Sequence, residues 1–294
     1  MYKSLAEAIR DAEASGRTLS QTALALESKD QGRTVEDIRS ALRRALAVMR
    51  GAVERGLDGD LRSASGLVGG DAALVAASHA GPMAGTLFSD VLARALAVQE
   101  VNAAMGVIVA APTAGGAGVL PAVLTGVARN KGIGDEAVID ALATAGLIGA
   151  VVAERASLSG AEGGCQAETG AAAGMAAGAA TEMLGGTPTQ VGHAVALTMQ
   201  GTLGLVCDPL GGLVELPCVF RNATGSALAL AGIEMALAGI KFAIPVDEVI
   251  DVMGEIGRNM DVRYRETAGG GLAATPTGRR LAKERLVQIR TAPR

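Results

Sequence analysis

Three cysteines are the residues of this chain whose type and setting could do chemistry. Cys165, Cys207 and Cys218 lie in the strings GGCQAETG, GLVCDP and LPCVFRNA, which are rich in glycine, proline or small residues. Three thiols cannot all pair as disulfides, and no feature suggests secretion, so a disulfide framework explains them poorly. One hypothesis is a shared metal site, and thiolates are the ligands of iron–sulfur clusters. The alternative is three unrelated core residues, because free cysteine often acts as a small apolar filler.

The spacing of the cysteines argues against a zinc finger. Forty-one residues separate Cys165 from Cys207, and ten separate Cys207 from Cys218, so no compact CxxC pair is present. A cubane iron–sulfur cluster has four irons, and three protein ligands would leave one iron without a protein partner. An iron with an open position is a Lewis acid available to substrate.

Two of the cysteines are predicted to open helices. Pro217 precedes Cys218, proline is favoured at the first helical position, and an alanine- and leucine-rich run with helical spacing follows. Glycines 163–164 precede Cys165, and the predicted helix from Cys165 ends at glycines 185–186, a pair suited to a helix C-cap. First-turn amides carry partial positive charge, which favours thiolate and offers hydrogen bonds to an anionic cluster.

The third cysteine is expected in a loop. Pro209 disfavours helix at Asp208, and glycines 211–212 permit a tight turn directly after Cys207.

Composition predicts a mainly α-helical fold. The chain has 294 residues, 2% aromatic residues and no tryptophan, and alanine, glycine, leucine and valine supply most of its apolar content. Strands rich in aromatic and β-branched residues are missing, whereas small apolar residues favour closely packed helices. We expect a multi-helix globular domain with glycine-rich loops around the iron–sulfur site.

The first part of the chain is predicted to be a helical lead-in packed on the core, over residues 1–59. Its amphipathic segment carries Ile38, Leu42, Leu46 and Met49 at spacings of four, four and three. A capping box is predicted where Thr34 is followed three residues later by aspartate. After a glycine-rich break, residues 60–294 are expected to form the catalytic domain as one unit.

Several function classes are disfavoured. A net charge of −4 gives no basic field for nucleic acid, and neither a P-loop nor a GxGxxG motif supports a nucleotide cofactor. The uncharged run over residues 102–128 is long enough to span a bilayer, but Pro112, Pro121 and a group of glycines interrupt it. The charged N-terminal residues lack the apolar core of a signal peptide. We therefore expect a cytoplasmic protein.

Five segments together resemble the alpha chain of the iron–sulfur-dependent L-serine dehydratase family. They are SGLVGGDA, NAAMGVIVAAPTAGGAGVLPAVL, SGAEGGCQAETG, LGLVCDPLGGLVELPCVFRNA and RETAGGGLAATPTGRRL. The resemblance implies a [4Fe-4S] cluster held by Cys165, Cys207 and Cys218, and conversion of L-serine to pyruvate and ammonia. It also implies a separate beta chain as partner, and we expect an oligomer.

Residues near the predicted cluster are candidates for binding L-serine. Iron would act as a Lewis acid and orienting template for the hydroxyl and carboxylate of the substrate. Hydroxyls beside glycines make a nest for a small carboxylate, which predicts roles for Ser65, Thr113 and Gly115. Arg221 and Asn222 follow Cys218 and could face the same pocket; the alternative is contact with solvent or C-cap bonding to a neighbouring helix.

The sequence does not identify the general base. His79 and His193 are the only histidines, and a lone histidine on an apolar helix is more often structural than catalytic. The proton acceptor is therefore expected from the beta chain. Pyridoxal phosphate, used by many serine dehydratases, needs a Schiff-base lysine, and none of the five lysines lies in a glycine-rich pocket string. Two non-enzymatic alternatives stay open, an iron sensor and a structural helical protein.

Overall fold

The computed structural model describes residues 2–78 and 85–291. Within these residues the secondary structure is helical, and the only strand-like pairing is an isolated bridge between Cys207 and Arg265. The prediction of a mainly α-helical fold is confirmed. The α-helices are α1 Leu5–Ser15, α2 Leu19–Gln31, α3 Val35–Leu57, α4 Asp71–Ala76, α5 Thr86–Ala103, α6 Val119–Lys131, α7 Asp135–Arg155, α8 Gly160–Gly163, α9 Ala171–Met183, α10 Pro188–Met199, α11 Cys218–Leu237, α12 Val246–Asn259 and α13 Pro276–Thr291. Five 3₁₀ turns and one π-helical turn, Gln166–Gly170, lie between them.

Helix α9 lies in the middle of the core and packs against α6, α7, α10 and α11. Its sequence, AAAGMAAGAATEM, is almost free of large side chains, and residues 171–181 are all buried. A Cβ atom at Gly174 would lie 2.7 Å from Met199 Cγ, and one at Gly178 would lie 2.9 Å from Val195 Cγ2. Small residues therefore let the neighbouring helices approach α9 closely, as the composition predicted.

Helices α1 to α3 lie within residues 1–59, the segment predicted to be a lead-in. The capping box at the start of α3 is present, and Ile38, Leu46 and Met49 are buried, while Leu42 is partly buried. Buried side chains of α1, α2 and α3 belong to the same hydrophobic cluster as the central helices. A division of the chain at residues 59 and 60 stays a prediction.

Carboxylates of the core hold the first two helices at their N-termini. Asp247 accepts hydrogen bonds from the amide of Leu5 at 2.7 Å and from that of Ala6 at 3.0 Å. Glu182 accepts one from the amide of Leu19 at 2.9 Å. An acidic side chain stabilises a helix N-terminus by satisfying its free amides and by interacting with its dipole.

The uncharged run over residues 102–128 is not one helix. Helix α5 ends at Ala103, an irregular segment and a short 3₁₀ turn follow, and α6 begins at Val119. A different helix, α7, is long and apolar enough to cross a membrane by length and composition, but 67% of its most apolar window is buried inside the protein. It packs against α9 and α2, as the core helix of a globular protein does.

Candidate active site

The three cysteines occupy three separate segments, and all are buried and free of disulfides. Cys165 directly precedes the π-helical turn that runs into α9, so a helix does open there, although its first turn is not α-helical. Cys218 is the first residue of α11, and Pro217 stands one position before the helix as its N-cap rather than inside it. Both predictions of a cysteine at a helix start are confirmed with these differences.

Cys207 lies in a loop, as predicted, and the loop is tied to the C-terminal part of the chain. The amide of Cys207 donates to the carbonyl of Tyr264 at 2.8 Å, and the amide of Glu266 donates to the carbonyl of Cys207 at 2.8 Å. Glu266 has a φ of 62°, a left-handed conformation that costs energy for a residue with a side chain. These two backbone hydrogen bonds fix the position of Cys207 against a segment about sixty residues later in the sequence.

The thiols lie within electrostatic range of one another. Burial raises the pKa of Cys218 to about 12, and the charge of Cys165 adds to the effect. Burial also raises the pKa of Cys207, with further contributions from Cys165 and Cys218. Burial raises the pKa of Cys165, although a hydrogen bond with Thr169, 3.1 Å between Sγ and Oγ1, acts in the opposite direction. Three such thiols favour the neutral form unless a metal centre binds them, because coordination deprotonates a thiol outright.

The three cysteines supply the donor type that iron–sulfur clusters use. Among the residues that the structure describes, no three histidine, cysteine, aspartate or glutamate side chains are grouped to hold one metal ion. Space beside Cys207 comes from Gly160, where a Cβ atom would lie 3.2 Å from Cys207 Sγ. Buried thiols without disulfide partners are the kind of ligand that a [4Fe-4S] cluster takes.

A buried carboxylate, Glu168, lies among the cysteines. Its Oε1 accepts a hydrogen bond from Thr113 Oγ1 at 2.7 Å, and its Oε2 lies 3.9 Å from Cys207 Sγ. Burial raises its pKa, and the charge of Glu266 adds to this. Sequence reasoning missed Glu168. A usable signal was its position three residues after Cys165, because residues three apart share a face in helical structure.

A buried ion pair joins two of the cysteine segments. Arg221, in the first turn of α11, places Nη1 2.7 Å from Oδ1 of Asp208, the residue after Cys207. The same guanidinium nitrogen donates to the carbonyl of Val206 at 2.8 Å, so its contact with Asp208 is ionic rather than a well-directed hydrogen bond. The other oxygen of Asp208 accepts from the amide of Leu272 at 2.6 Å. Arg221 was predicted to bind substrate; its guanidinium is already engaged, and substrate contact stays a prediction.

Other predicted substrate residues also have partners within the protein. The buried Ser65 donates its hydroxyl to Glu215, which also accepts the amide of Ser65 at 3.2 Å. Asn222 is fully buried and donates to the carbonyl of Gly115 at 2.7 Å, while its Oδ1 accepts the amide of Gly118 at 3.0 Å. Asn222 thus bonds to the segment before α6, and its contact with substrate stays a prediction. Gly115 borders Glu168, since a Cβ atom there would lie 2.7 Å from its Oε1.

Among the described residues, neither the histidine nor the lysines have a setting that indicates catalysis. His193 lies half-buried in the middle of α10, and His79 lies outside the described residues. The lysines are all exposed, so none has the desolvated setting that activates a Schiff-base amine; they are Lys3, Lys29, Lys131, Lys241 and Lys283.

Comparison with known proteins decides the family. A family model described as "Serine dehydratase alpha chain" matches residues 14–273. The chain belongs to the serine dehydratase alpha-chain family. It is 49% identical over 286 residues to the probable L-serine dehydratase alpha chain of Bacillus subtilis (strain 168), covering 97% of this chain and 95% of that protein. It is 40% identical over 260 residues to the L-serine dehydratase alpha chain of Peptoniphilus asaccharolyticus, covering 88% and 89%.

A second kind of serine dehydratase relative is much longer than this chain. L-serine dehydratase TdcG of Escherichia coli (strain K12) is 44% identical over 181 residues, which cover 61% of this chain and 40% of that protein. The matched part is therefore less than half of the longer relative. The alpha-chain relatives, by contrast, match along nearly their whole length.

Proposed function

We propose that this chain is the alpha chain of an L-serine dehydratase, a lyase that converts L-serine to pyruvate and ammonia with a [4Fe-4S] cluster held by Cys165, Cys207 and Cys218. One observation carries the proposal. Three buried, unpaired thiols from separate segments lie close enough to alter one another's ionisation, in a chain of the serine dehydratase alpha-chain family. Three ligands for four irons leave one iron open.

The reaction removes a proton from the α-carbon of serine and expels its hydroxyl group as water. When bound, the cluster would supply a Lewis acid for the hydroxyl and carboxylate. The chain itself holds the ligand segments in place, with the Asp208–Arg221 pair joining the loop of Cys207 to the helix of Cys218. Burial of the cysteines keeps water away from the sulfurs and strengthens electrostatic interactions at the site. The enamine product would tautomerise and hydrolyse to pyruvate and ammonia.

A beta chain completes the proposed enzyme. Relatives that match this chain end to end are called alpha chains, and a name of that kind implies a partner chain. The longer relatives contain further sequence that this chain does not match. Among the described residues, His193 lies in the middle of α10 and the lysines are exposed, so we propose that the beta chain supplies the proton acceptor. The enzyme is proposed to be a cytoplasmic oligomer.

Anaerobic purification of the chain tests the proposed function. We expect iron and sulfide in the ratio of a cubane, a broad visible absorption, and pyruvate release from L-serine in the presence of the beta chain. A colourless protein would favour the structural alternative, and a cluster without turnover would favour an iron sensor. Full turnover by the alpha chain alone would contradict the assignment of the base to the beta chain.

A further inference from the structure

Glu168 is the carboxylate that all three thiols share. Its charge contributes to the raised pKa of Cys165, Cys207 and Cys218. Its Oε2 lies 3.9 Å from Cys207 Sγ, and its backbone belongs to the π-helical turn that follows Cys165. The carboxylate therefore lies within electrostatic reach of every proposed cluster ligand and beside one of them.

No cationic side chain of the described residues pairs with this carboxylate. Glu168 is 9% exposed, and the ion pairs of the structure do not include it. Its hydrogen-bond donors are the neutral hydroxyl of Thr113 and the thiol of Cys207. Arg221 is the nearby guanidinium, and it is engaged by Asp208. A buried carboxylate is costly to ionise without a cation beside it, so the ammonium group of a ligand is a partner that would favour the charged form of Glu168.

Glycines surround the carboxylate closely. A Cβ atom at Gly115 would lie 2.7 Å from Glu168 Oε1, and one at Gly160 would lie 3.0 Å from Glu168 Cδ and 3.2 Å from Cys207 Sγ. A side chain at either position would push the carboxylate away from its place beside the sulfur. The absence of a side chain at these two glycines therefore keeps the carboxylate in its place beside Cys207.

We propose that Glu168 binds the α-ammonium group of the substrate and that Thr113 orients it from the other carboxylate oxygen. This inference rests on the proposed function and adds a specificity residue to it. L-Serine carries a carboxylate, a hydroxyl and an ammonium group, and only the ammonium needs an anionic acceptor. A hydrogen bond between two charged groups is stronger and shorter than a neutral one. Thr113 then acts through Glu168, and it does not contact the carboxylate of the substrate.

The variant Glu168→Gln tests this inference, because it keeps the shape and an oxygen that accepts from Thr113 but removes the charge. L-Alanine and propionate are suitable probes, since they differ only in the ammonium group and neither has a hydroxyl to lose. Both are titrated anaerobically by calorimetry into the cluster-loaded complex of this chain with its beta chain. We expect L-alanine to bind about tenfold more weakly or worse in Glu168→Gln, propionate to bind as in the wild type, and the iron and sulfide content to be unchanged. The KM for L-serine should rise in parallel.

Glu234→Gln is the matched control. Glu234 is exposed near the far end of α11, and this variant should bind both probes as the wild type does. Equal weakening of both probes in Glu168→Gln would overturn the inference, because a structural role affects both. Unchanged L-alanine binding with a large loss of kcat would also overturn it, because that pattern indicates proton transfer.

A second variant covers the case in which Glu168→Gln does not assemble the cluster. Thr113→Val removes the hydroxyl that orients Glu168 and leaves the carboxylate in place. It should weaken L-alanine binding and leave propionate binding unchanged; loss of both, or of neither, would overturn the inference. A wild-type complex that holds a cluster but forms no pyruvate would refute the proposed function alone, since selective binding of L-alanine would still report on Glu168.

Discussion

Replacement of Asp208 by asparagine should strongly destabilise the chain. Asp208 is 2% exposed, its Oδ1 lies 2.7 Å from Arg221 Nη1, and its Oδ2 accepts the amide of Leu272. At an effective dielectric constant of about 20, two unit charges at this distance attract by roughly 6 kcal/mol, most of which offsets their desolvation. Removal of Asp208 leaves the partly buried Arg221 without its counter-charge, and measured costs for breaking buried pairs are about 3–5 kcal/mol. Asparagine can still accept from Leu272, so we expect about 3 kcal/mol.

Urea unfolding of the cluster-free chain, followed by circular dichroism, measures this cost without any contribution from iron. The matched control is Asp251→Asn. Asp251 pairs with Arg155 at 2.6 Å but is 50% exposed, and exposed pairs contribute about 0–1 kcal/mol. A loss in Asp208→Asn no larger than that in Asp251→Asn would refute the reasoning. The double variant with Arg221→Gln should lose less than the sum of the two single variants, because each single change already breaks the pair.

Four other outcomes are expected. Cys207→Ala should abolish the visible absorption and pyruvate formation; full iron content in this variant would exclude Cys207 as a ligand. His193→Ala should retain most of the kcat, and a large loss would give this histidine a catalytic role. Gly115→Ala should lower the free energy of unfolding in urea by about 1–3 kcal/mol, because the new Cβ atom would lie 2.7 Å from Oε1 of Glu168. A urea midpoint equal to that of the wild type would contradict this close approach. Burial raises the pKa of Tyr2 from 10.0 to about 12. The stability that neutral Tyr2 contributes is therefore complete below pH 10 and is lost as the pH rises through 12. Tyr2→Phe should remove this pH dependence of unfolding between pH 9 and 12, and an unchanged profile in this variant would contradict the prediction.

Local features of the site were predictable because they depend on neighbours in sequence. The restricted backbone of Pro217 and the apolar spacing after it put Cys218 at the start of a helix. The glycines before Cys165 allow the turn that precedes its helix, where Gly164 has a φ of 74°. The π-helical form of the first turn was not predictable, since the α and π patterns differ only in which carbonyl each amide reaches.

The partners of the predicted substrate residues could not be read from sequence. Ser65 and Glu215 are 150 residues apart, and Asn222 reaches Gly115 across 107 residues. The hydroxyl or amide type of a residue indicates what it can bind, but a single sequence does not indicate which distant group it will face. Polar side chains that seemed suited to substrate are therefore found bonded within the protein.

Residue type and local pattern by themselves determined the helical class and the positions of the cysteines, two at helix starts and one in a loop. The resemblance to a known family added the candidate cluster ligands. Only the tertiary structure brought Cys165, Cys207 and Cys218 within electrostatic range and placed Glu168 among them with no ion-pair partner in the described part of the chain. The physical reason is that helix and turn preferences act over a few residues. Convergence of segments far apart in sequence depends on how the small-residue surfaces of α9 and its neighbours pack together.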